Sequence, residues 1–264
     1  VRPKRRLGQH FLTDPSILNR IVDALDPGPS DTVLEIGPGR GALTAILAGR
    51  AGTVVAIERD NDLVSHLQQS FPGVDLVAGD ALALDWHEVV GHSDFLVIGN
   101  IPYNITSPLL DRALTPPRPR RCVFLVQREV GERIVAPPGS KIYGALSVGI
   151  QAVARAEVVF RVPAGAFQPP PKVDSVVLRL TPLEAPLIDD AELSAFRAVV
   201  TGLFSLRRKQ LLRGIRQLTG WSADKAGAML RTVGLDPTAR PETVAPAAFV
   251  ALTRELVDLG WSAG

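Results

Sequence analysis

Val33-Leu34-Glu35-Ile36-Gly37-Pro38-Gly39-Arg40-Gly41 reads as a short apolar strand running into a glycine-rich turn. A helix over 42–50 follows, then a second apolar strand, Thr53-Val54-Val55-Ala56-Ile57. Strand, turn, helix and strand at this spacing form a βαβ unit, whose two strands run parallel. Outward from it the cycle repeats, with helices over 61–70 and 108–114 and extended runs over 74–77, 95–98 and 122–126. Such alternation predicts an α/β fold, a mostly parallel sheet with helices on both faces. β-branched residues over 146–160 and 173–180, on either side of Pro169-Pro170-Pro171, predict an antiparallel pair that closes the sheet near Leu180.

Beyond Thr181-Pro182 the pattern changes. Apolar residues recur at helical spacing over 191–204, 206–218, 222–233 and 247–258, separated by Gly220, Gly234 and Pro241, which predicts a small all-helical appendage. No apolar run approaches membrane-spanning length, so no membrane partner is expected. A single Cys122 and a basic start without an apolar leader behind it point to a reducing, cytoplasmic setting. The net charge of +2 hides an uneven distribution. Arg2, Lys4, Arg5 and Arg6 cluster at one end, and Arg197, Arg207, Arg208, Lys209, Arg213 and Arg216 fall within 196–216, which holds no acid. Patches of this kind suit a polyanion such as RNA, although a solvated helix face has the same composition.

The turn at Gly37 to Gly41 sits where backbone passes close to a ligand. Gly37, Gly39 and Ala42 also satisfy the dinucleotide pattern G-x-G-x-x-G/A, with Glu58 about twenty residues on, so a nicotinamide dinucleotide site stays open at this point. In either case Glu58, ending the second strand, can accept hydrogen bonds from ribose hydroxyls. Asp80, ending the third extended run, can accept from an exocyclic amine of adenine or simply cap the following turn. Glu35 is placed to orient the glycine loop.

After the fourth strand comes Asn100-Ile101-Pro102-Tyr103. Asn or Asp followed by Pro-Pro-Tyr, or a close variant, marks methyltransferases that act on exocyclic amino nitrogens. Adenine N6 is a poor nucleophile because its lone pair is delocalised into the ring. Two acceptors, the Asn100 side-chain oxygen and a backbone carbonyl held outward by Pro102, take the two amine hydrogens and favour a pyramidal nitrogen aimed at a methyl donor. Tyr103 supplies a face on which an extruded base stacks.

The chain as a whole resembles the KsgA family of S-adenosylmethionine-dependent small-subunit rRNA adenine dimethyltransferases. The resemblance rests on Leu7-Gly8-Gln9-His10-Phe11-Leu12, Glu35-Ile36-Gly37-Pro38-Gly39 and Asn100-Ile101-Pro102-Tyr103-Asn104-Ile105. It extends to Phe167-Gln168-Pro169-Pro170-Pro171-Lys172-Val173-Asp174-Ser175, Phe204-Ser205-Leu206-Arg207-Arg208-Lys209 and Arg240-Pro241-Glu242. It implies a Rossmann-like class I methyltransferase sheet over 1–182, with a basic, donor-binding segment over 1–30, and a helical rRNA-binding domain over 183–264. Gln9, His10, Leu12, Gly37, Gly39, Glu58, Asp80, Ala81 and Asn100 are the implied donor contacts. Tyr103 and Phe167 are expected to sandwich the target adenine, with Asn100 and the Ile101 carbonyl receiving its amine. The implied reaction converts two adjacent adenines of a 3′-terminal hairpin of small-subunit (16S) rRNA to N6,N6-dimethyladenine, leaving S-adenosylhomocysteine, without a metal. The implied setting is a monomer acting on a pre-ribosomal 30S particle, with Arg207, Arg208, Lys209 and Arg213 on rRNA phosphates. His10 stands where the family commonly has Asn, and Ile101 where it commonly has Leu.

Other polar residues read as structural. His66, His87 and His92 lie on different segments without the company of a zinc site. Ser107 and Ser205 lack triad partners in sequence, Trp221 and Trp261 suit helix packing, and Cys122 suits a buried strand. Three competing functions remain at this point. One is a macrolide-resistance-type methyltransferase of large-subunit (23S) rRNA, which the helical-domain strings disfavour. Another is an NAD-dependent dehydrogenase, which leaves Asn100 to Tyr103 unexplained. The third is a non-catalytic ribosome-assembly factor, against which intact Asn100 and Tyr103 argue.

Overall fold

The computed structural model describes Lys4 and residues 9–91 and 94–262. Arg2, Arg5, Arg6, Leu7, Gly8 and His92, singled out above, lie outside the described residues. The chain divides into two compact units, one of Val1–Gly131 with Ala156–Pro182 and one of Glu132–Arg155 with Leu183–Gly264.

The first unit contains β1 (Phe11–Leu12), α1 (Pro15–Leu25), β2 (Thr32–Ile36), α2 (Ala42–Leu47), β3 (Thr53–Glu58), α3 (Asn61–Ser70) and β4 (Asp75–Ala78). It continues through α4 (Trp86–Val90), β5 (Leu96–Asn100), α5 (Thr106–Ala113), β6 (Arg121–Gln127) and α6 (Arg128–Ile134), and resumes with β7 (Ala154–Val162), β8 (Phe167–Gln168) and β9 (Ser175–Pro182). Seven strands form one sheet in the order β4-β3-β2-β5-β6-β9-β7. From β4 to β6 all neighbours are parallel, and β9 runs antiparallel to β6. The sheet is therefore the expected Rossmann-like one. Apart from Glu35 its central strands are largely apolar, with Val33, Leu34, Val97, Ile98, Val123 and Phe124 all sealed from water, because helices cover both faces. Cys122 is sealed with them, and burial pushes its thiol well up from the ordinary range. Among the described residues no helix is long and apolar enough to cross a membrane.

Local chemistry explains the helix that supports the amino-terminal segment. Asp14 accepts from the Ser16 and Ile17 amides, Pro15 occupies the first turn, and Leu18, Ile21, Val22 and Leu25 form one buried stripe. Ahead of this helix, β1 pairs antiparallel with β8, setting Phe11 opposite Gln168 and Leu12 opposite Phe167.

The second unit holds α7 (Ala145–Gln151), α8 (Leu193–Ser205), α9 (Leu211–Thr219), α10 (Ala223–Thr232) and α11 (Pro246–Asp258). Here the expectation of a strand over 146–160 is half wrong. Residues 145–151 form a helix, and only from Ala154 is the chain extended. Val148 and Ile150 look strand-like by their β-branching, yet both bury in a helix that packs on α8 and α11. The Tyr143 hydroxyl donates to the Val244 carbonyl at 2.9 Å, and the Tyr143 and Phe204 rings meet edge to face. A cut at 182 alone therefore misses the helical unit's second piece, Glu132–Arg155. Trp261 donates to the Leu218 carbonyl, and Lys225 lies over the Trp221 ring.

Glu35, on central strand β2, is 1% exposed and accepts from the Thr44 hydroxyl of α2 at 2.6 Å. Burial pushes its carboxyl from 4.5 up to about 7; the Thr44 bond opposes the rise and the Glu58 charge adds to it. A carboxyl that keeps its proton longer folded than unfolded favours the fold fully below about pH 4.5 and loses that contribution as pH climbs toward 7. At about 1.4 kcal/mol per unit, the loss is on the order of 3 kcal/mol. Glu35→Gln keeps an acceptor for Thr44 and removes the titration. Urea melts of both proteins from pH 4.5 to 8 should show the variant gaining on wild type by up to about that amount. Parallel curves would mean that Glu35 ionises in the fold at no cost.

Candidate active site at the carboxyl edge of the sheet

The carboxyl ends of β2, β3, β4 and β5 open onto one cavity of about 350 Å³, a size suited to a small molecule. Residues 9–13 line it from the amino-terminal segment, and 35–40, 57–59, 79–81 and 100–105 line it from the sheet edge. All the expected donor contacts therefore converge here, as they should at the strand ends of an open α/β sheet.

The glycine loop is held by backbone geometry and by one carboxylate. Gly37 and Gly39 take φ of +67° and +60°, a region open to glycine at little cost, and a Cβ on Gly39 would sit 3.0 Å from the Phe11 ring. Glu58 accepts from the Gly39 amide at 3.1 Å and from the Asp60 amide at 2.8 Å. Burial raises its carboxyl above the ordinary value, and these amides oppose the rise.

Gln9 faces the cavity but spends its side chain on a neighbour. Its amide nitrogen donates to Asp60 at 3.1 Å, and its side-chain oxygen accepts from the Lys4 backbone. Lys4 itself pairs with Asp60 and Asp62. Burial pushes the Asp60 carboxyl up, but the bonds from Lys4 and Gln9 outweigh this and hold it below the ordinary value. Asp80 caps its own turn through the Leu82 amide at 3.0 Å and meets Arg59 at 3.2 Å, while the neighbouring Ala81 carbonyl accepts from the Trp86 indole. Asp60, Arg59 and Thr44 escaped the sequence reading. Asp60 could have been found as the cap between a strand and a helix, whereas nothing in sequence marks the other two.

Asn100 ends β5. Its amide nitrogen donates to the His10 carbonyl at 2.8 Å, which commits the nitrogen and leaves the side-chain oxygen to accept. The Ile101 side chain is buried, and its amide donates to the Leu125 carbonyl at 3.2 Å. The Pro102 carbonyl is taken by the Ile105 amide, whereas no backbone amide among the described residues takes that of Ile101. Tyr103 is half-buried, with its hydroxyl 2.8 Å from Ser175 Oγ. Burial raises its phenol above the ordinary range, the Ser175 bond opposes this, and the Asp174 charge adds to it. The ring lies near-parallel to that of His10, at 24° and 6.0 Å between centroids.

Two expected roles do not match these positions. Phe167 is 4% exposed and is not on the cavity wall. It pairs with Leu12 in the β1–β8 ribbon and belongs to the core cluster with Leu12, Val162 and Val177. In the helical unit Arg207 is likewise occupied, donating to Glu242 at 2.7 Å and to the Lys141 carbonyl. Arg208, Lys209 and Arg213 are exposed. The Arg207–Glu242 pair joins the strings at 204–209 and 240–242.

The model of the family described as ribosomal RNA adenine dimethylase matches residues 2–257. The chain is similar to a protein named ribosomal RNA small subunit methyltransferase A from Moorella thermoacetica, 42% identical over 96% of this chain and 92% of that protein. A protein of the same name from a Janthinobacterium species is 44% identical over 96% and 98%. Among solved structures, a dimethyladenosine transferase from Plasmodium falciparum has a TM-score of 0.84 at 26% identity, covering 95% of this chain and 98% of that one. The 23S rRNA methyltransferase ErmE has a TM-score of 0.72 at 28% identity, covering 94% and 99%. With a nearly full-length match around a cavity that gathers the glycine loop and Asn100 to Tyr103, the chain belongs to the ribosomal RNA adenine dimethylase family.

Proposed function

We propose that this chain uses S-adenosylmethionine to dimethylate N6 of two adjacent adenines in a 3′-terminal hairpin of small-subunit rRNA. It does so as a cytoplasmic monomer working on a pre-ribosomal 30S particle. One observation carries the chemistry: the Asn100 amide nitrogen is committed to the His10 carbonyl, so the side-chain oxygen accepts, next to an Ile101 carbonyl that no described backbone amide takes. The small-subunit choice is supported by relatives above 40% identity that carry that name, against 28% for the 23S rRNA enzyme.

The cavity fits the donor. It has the volume of a small-molecule site, an open glycine at Gly37, and Glu58 and Asp80 at successive strand ends as acceptors. Glu58 would receive ribose hydroxyls and Asp80 an adenine amine, with Gln9, His10, Leu12, Gly39 and Ala81 around them. Bound there, S-adenosylmethionine supplies an electrophilic methyl carbon on a sulfonium. Asn100 Oδ1 and the Ile101 carbonyl draw the two amine hydrogens of the substrate, and with them in place the nitrogen lone pair is withdrawn from conjugation with the ring and localised toward the methyl donor. Tyr103 presents a flat face, and its hydroxyl is tethered to Ser175. A strong base is not required, because the transferred methyl makes the amine acidic enough to lose its proton to solvent.

Tritiated methyl transfer to small subunits lacking these methyl groups tests the assignment. Asn100→Ala should lower kcat about a hundredfold or more, by analogy with the loss of one preorganised hydrogen-bonding group. In a parallel assay, transfer to large-subunit rRNA with none to small subunits would favour the second reading, which the ErmE likeness keeps in play.

The exposed cations Arg208, Lys209 and Arg213 are proposed to meet rRNA phosphates. Changing all three to Gln should weaken subunit binding at low salt and flatten the slope of log affinity against log salt by about 2 to 3. Donor affinity should be unchanged. Arg207→Gln should instead lower the melting temperature, because it frees Glu242. An unaltered salt slope in the triple variant would remove the docking role.

A further inference from the structure

Resting on the S-adenosylmethionine assignment above, we infer that Asp60 is a positioning residue for the donor, holding the amino-terminal segment in place as one wall of the cavity. Asp60 does not itself line the cavity. Two side chains of the segment nevertheless converge on its carboxylate: the Lys4 ammonium on Oδ1 and the Gln9 amide nitrogen on Oδ2, the latter at 3.1 Å. The Lys4 backbone amide donates to the Gln9 side-chain oxygen at 2.7 Å, which closes the three residues into one knot.

Asp60 is fixed to the sheet from the other side. It is 2% exposed, caps α3 by accepting from the Asp62 amide, and gives its own amide to Glu58 at the end of β3. From the knot the chain runs on through residues 9–13, which line the cavity, and through the His10 carbonyl, which takes the Asn100 amide. Phe11 adds an apolar hold by packing on Leu63 and Leu67 of α3. Apolar contact has little directionality, whereas charged hydrogen bonds fix a geometry, so the knot is what turns Gln9 toward the cavity.

The inference competes with a simpler one, in which the carboxylate acts on the cationic donor through its field alone. The two differ in sign. Calorimetric titration of S-adenosylmethionine, and of S-adenosylhomocysteine, which lacks the sulfonium charge, tells them apart. Asp60→Asn keeps a helix cap and loses the charge, and Lys4→Gln loses the opposite charge. Each should weaken binding of both ligands about tenfold, the scale of one charged hydrogen bond. The double variant should bind no more weakly than Asp60→Asn, because both changes open the same knot. Lys4→Arg keeps the ion pair and should restore most of the affinity. Lys4 lies outside every helix and strand, so Lys4→Gln keeps the test decisive even if Asp60→Asn fails to fold. A loss confined to S-adenosylmethionine, or tighter binding of it by Lys4→Gln, would assign the effect to the field and overturn the inference. Wild-type affinity in Lys4→Gln, or losses that multiply in the double variant, would overturn it equally. A wild-type chain that binds neither ligand would instead overturn the donor assignment on which it rests.

Discussion

The hydrogen bond from the Asn100 amide to the His10 carbonyl joins a residue at the end of β5 to one ninety positions earlier in the chain. A carboxamide can accept an amine hydrogen only through its oxygen, so something must hold the nitrogen away. Here a main-chain carbonyl does so, and the amino-terminal segment must then be fixed as firmly as the sheet. Several bonds fix it. Gln9 and Lys4 fasten to Asp60, β1 pairs with β8, and the Thr13 amide donates to the Ala166 carbonyl at 3.1 Å. None of these groups lies at the tip of β5, yet the orientation of Asn100 depends on them.

Around that bond the carboxylates divide their work by burial. Glu35, sealed under the loop, has its carboxyl pushed up to about 7 by burial and ties β2 to α2 through Thr44. Glu58, only slightly less buried, accepts one backbone amide on each oxygen and holds the glycine turn against β3, with acceptor capacity to spare. Asp60 is kept ionised by Lys4 and Gln9 and anchors the amino-terminal segment. Three acids within one strand–turn–helix region could repel one another. They coexist because one holds its proton to a higher pH, one is compensated by amides and one by a cation.

Much of the sheet was legible from 33–126, because strands buried on both faces are largely apolar runs and the helices between them are amphipathic. The site was legible wherever glycine, a terminal acid or the Asn100 to Tyr103 string fell at a strand's end, since topology alone brings strand ends together. Contacts made by segments distant in sequence were not legible. Phe167 has the right residue type for a base platform, but it pairs with Leu12 in the ribbon and belongs to the core cluster. Arg207 belongs to a basic string, but Glu242, thirty-five residues away, occupies it. Residues 145–151 are β-branched enough to suggest a strand, and only their packing on α8 and α11 makes them helical.

Dimethylation sharpens the demand on this arrangement. The first transfer meets an amine with two hydrogens and can use both acceptors, whereas the second meets one hydrogen and can use only one. An enzyme that depended on both acceptors for orientation would stall after the first methyl. A stacked base is oriented by its ring faces, which methylation at N6 leaves unchanged, so a flat slot keeps the nitrogen in place when half of its hydrogen bonding is gone. Hydrogen bonds can then activate the nitrogen while the slot positions it. Tyr103 is tied to Ser175 and His10 to Pro169 by hydrogen bonds that methylation of a substrate leaves untouched.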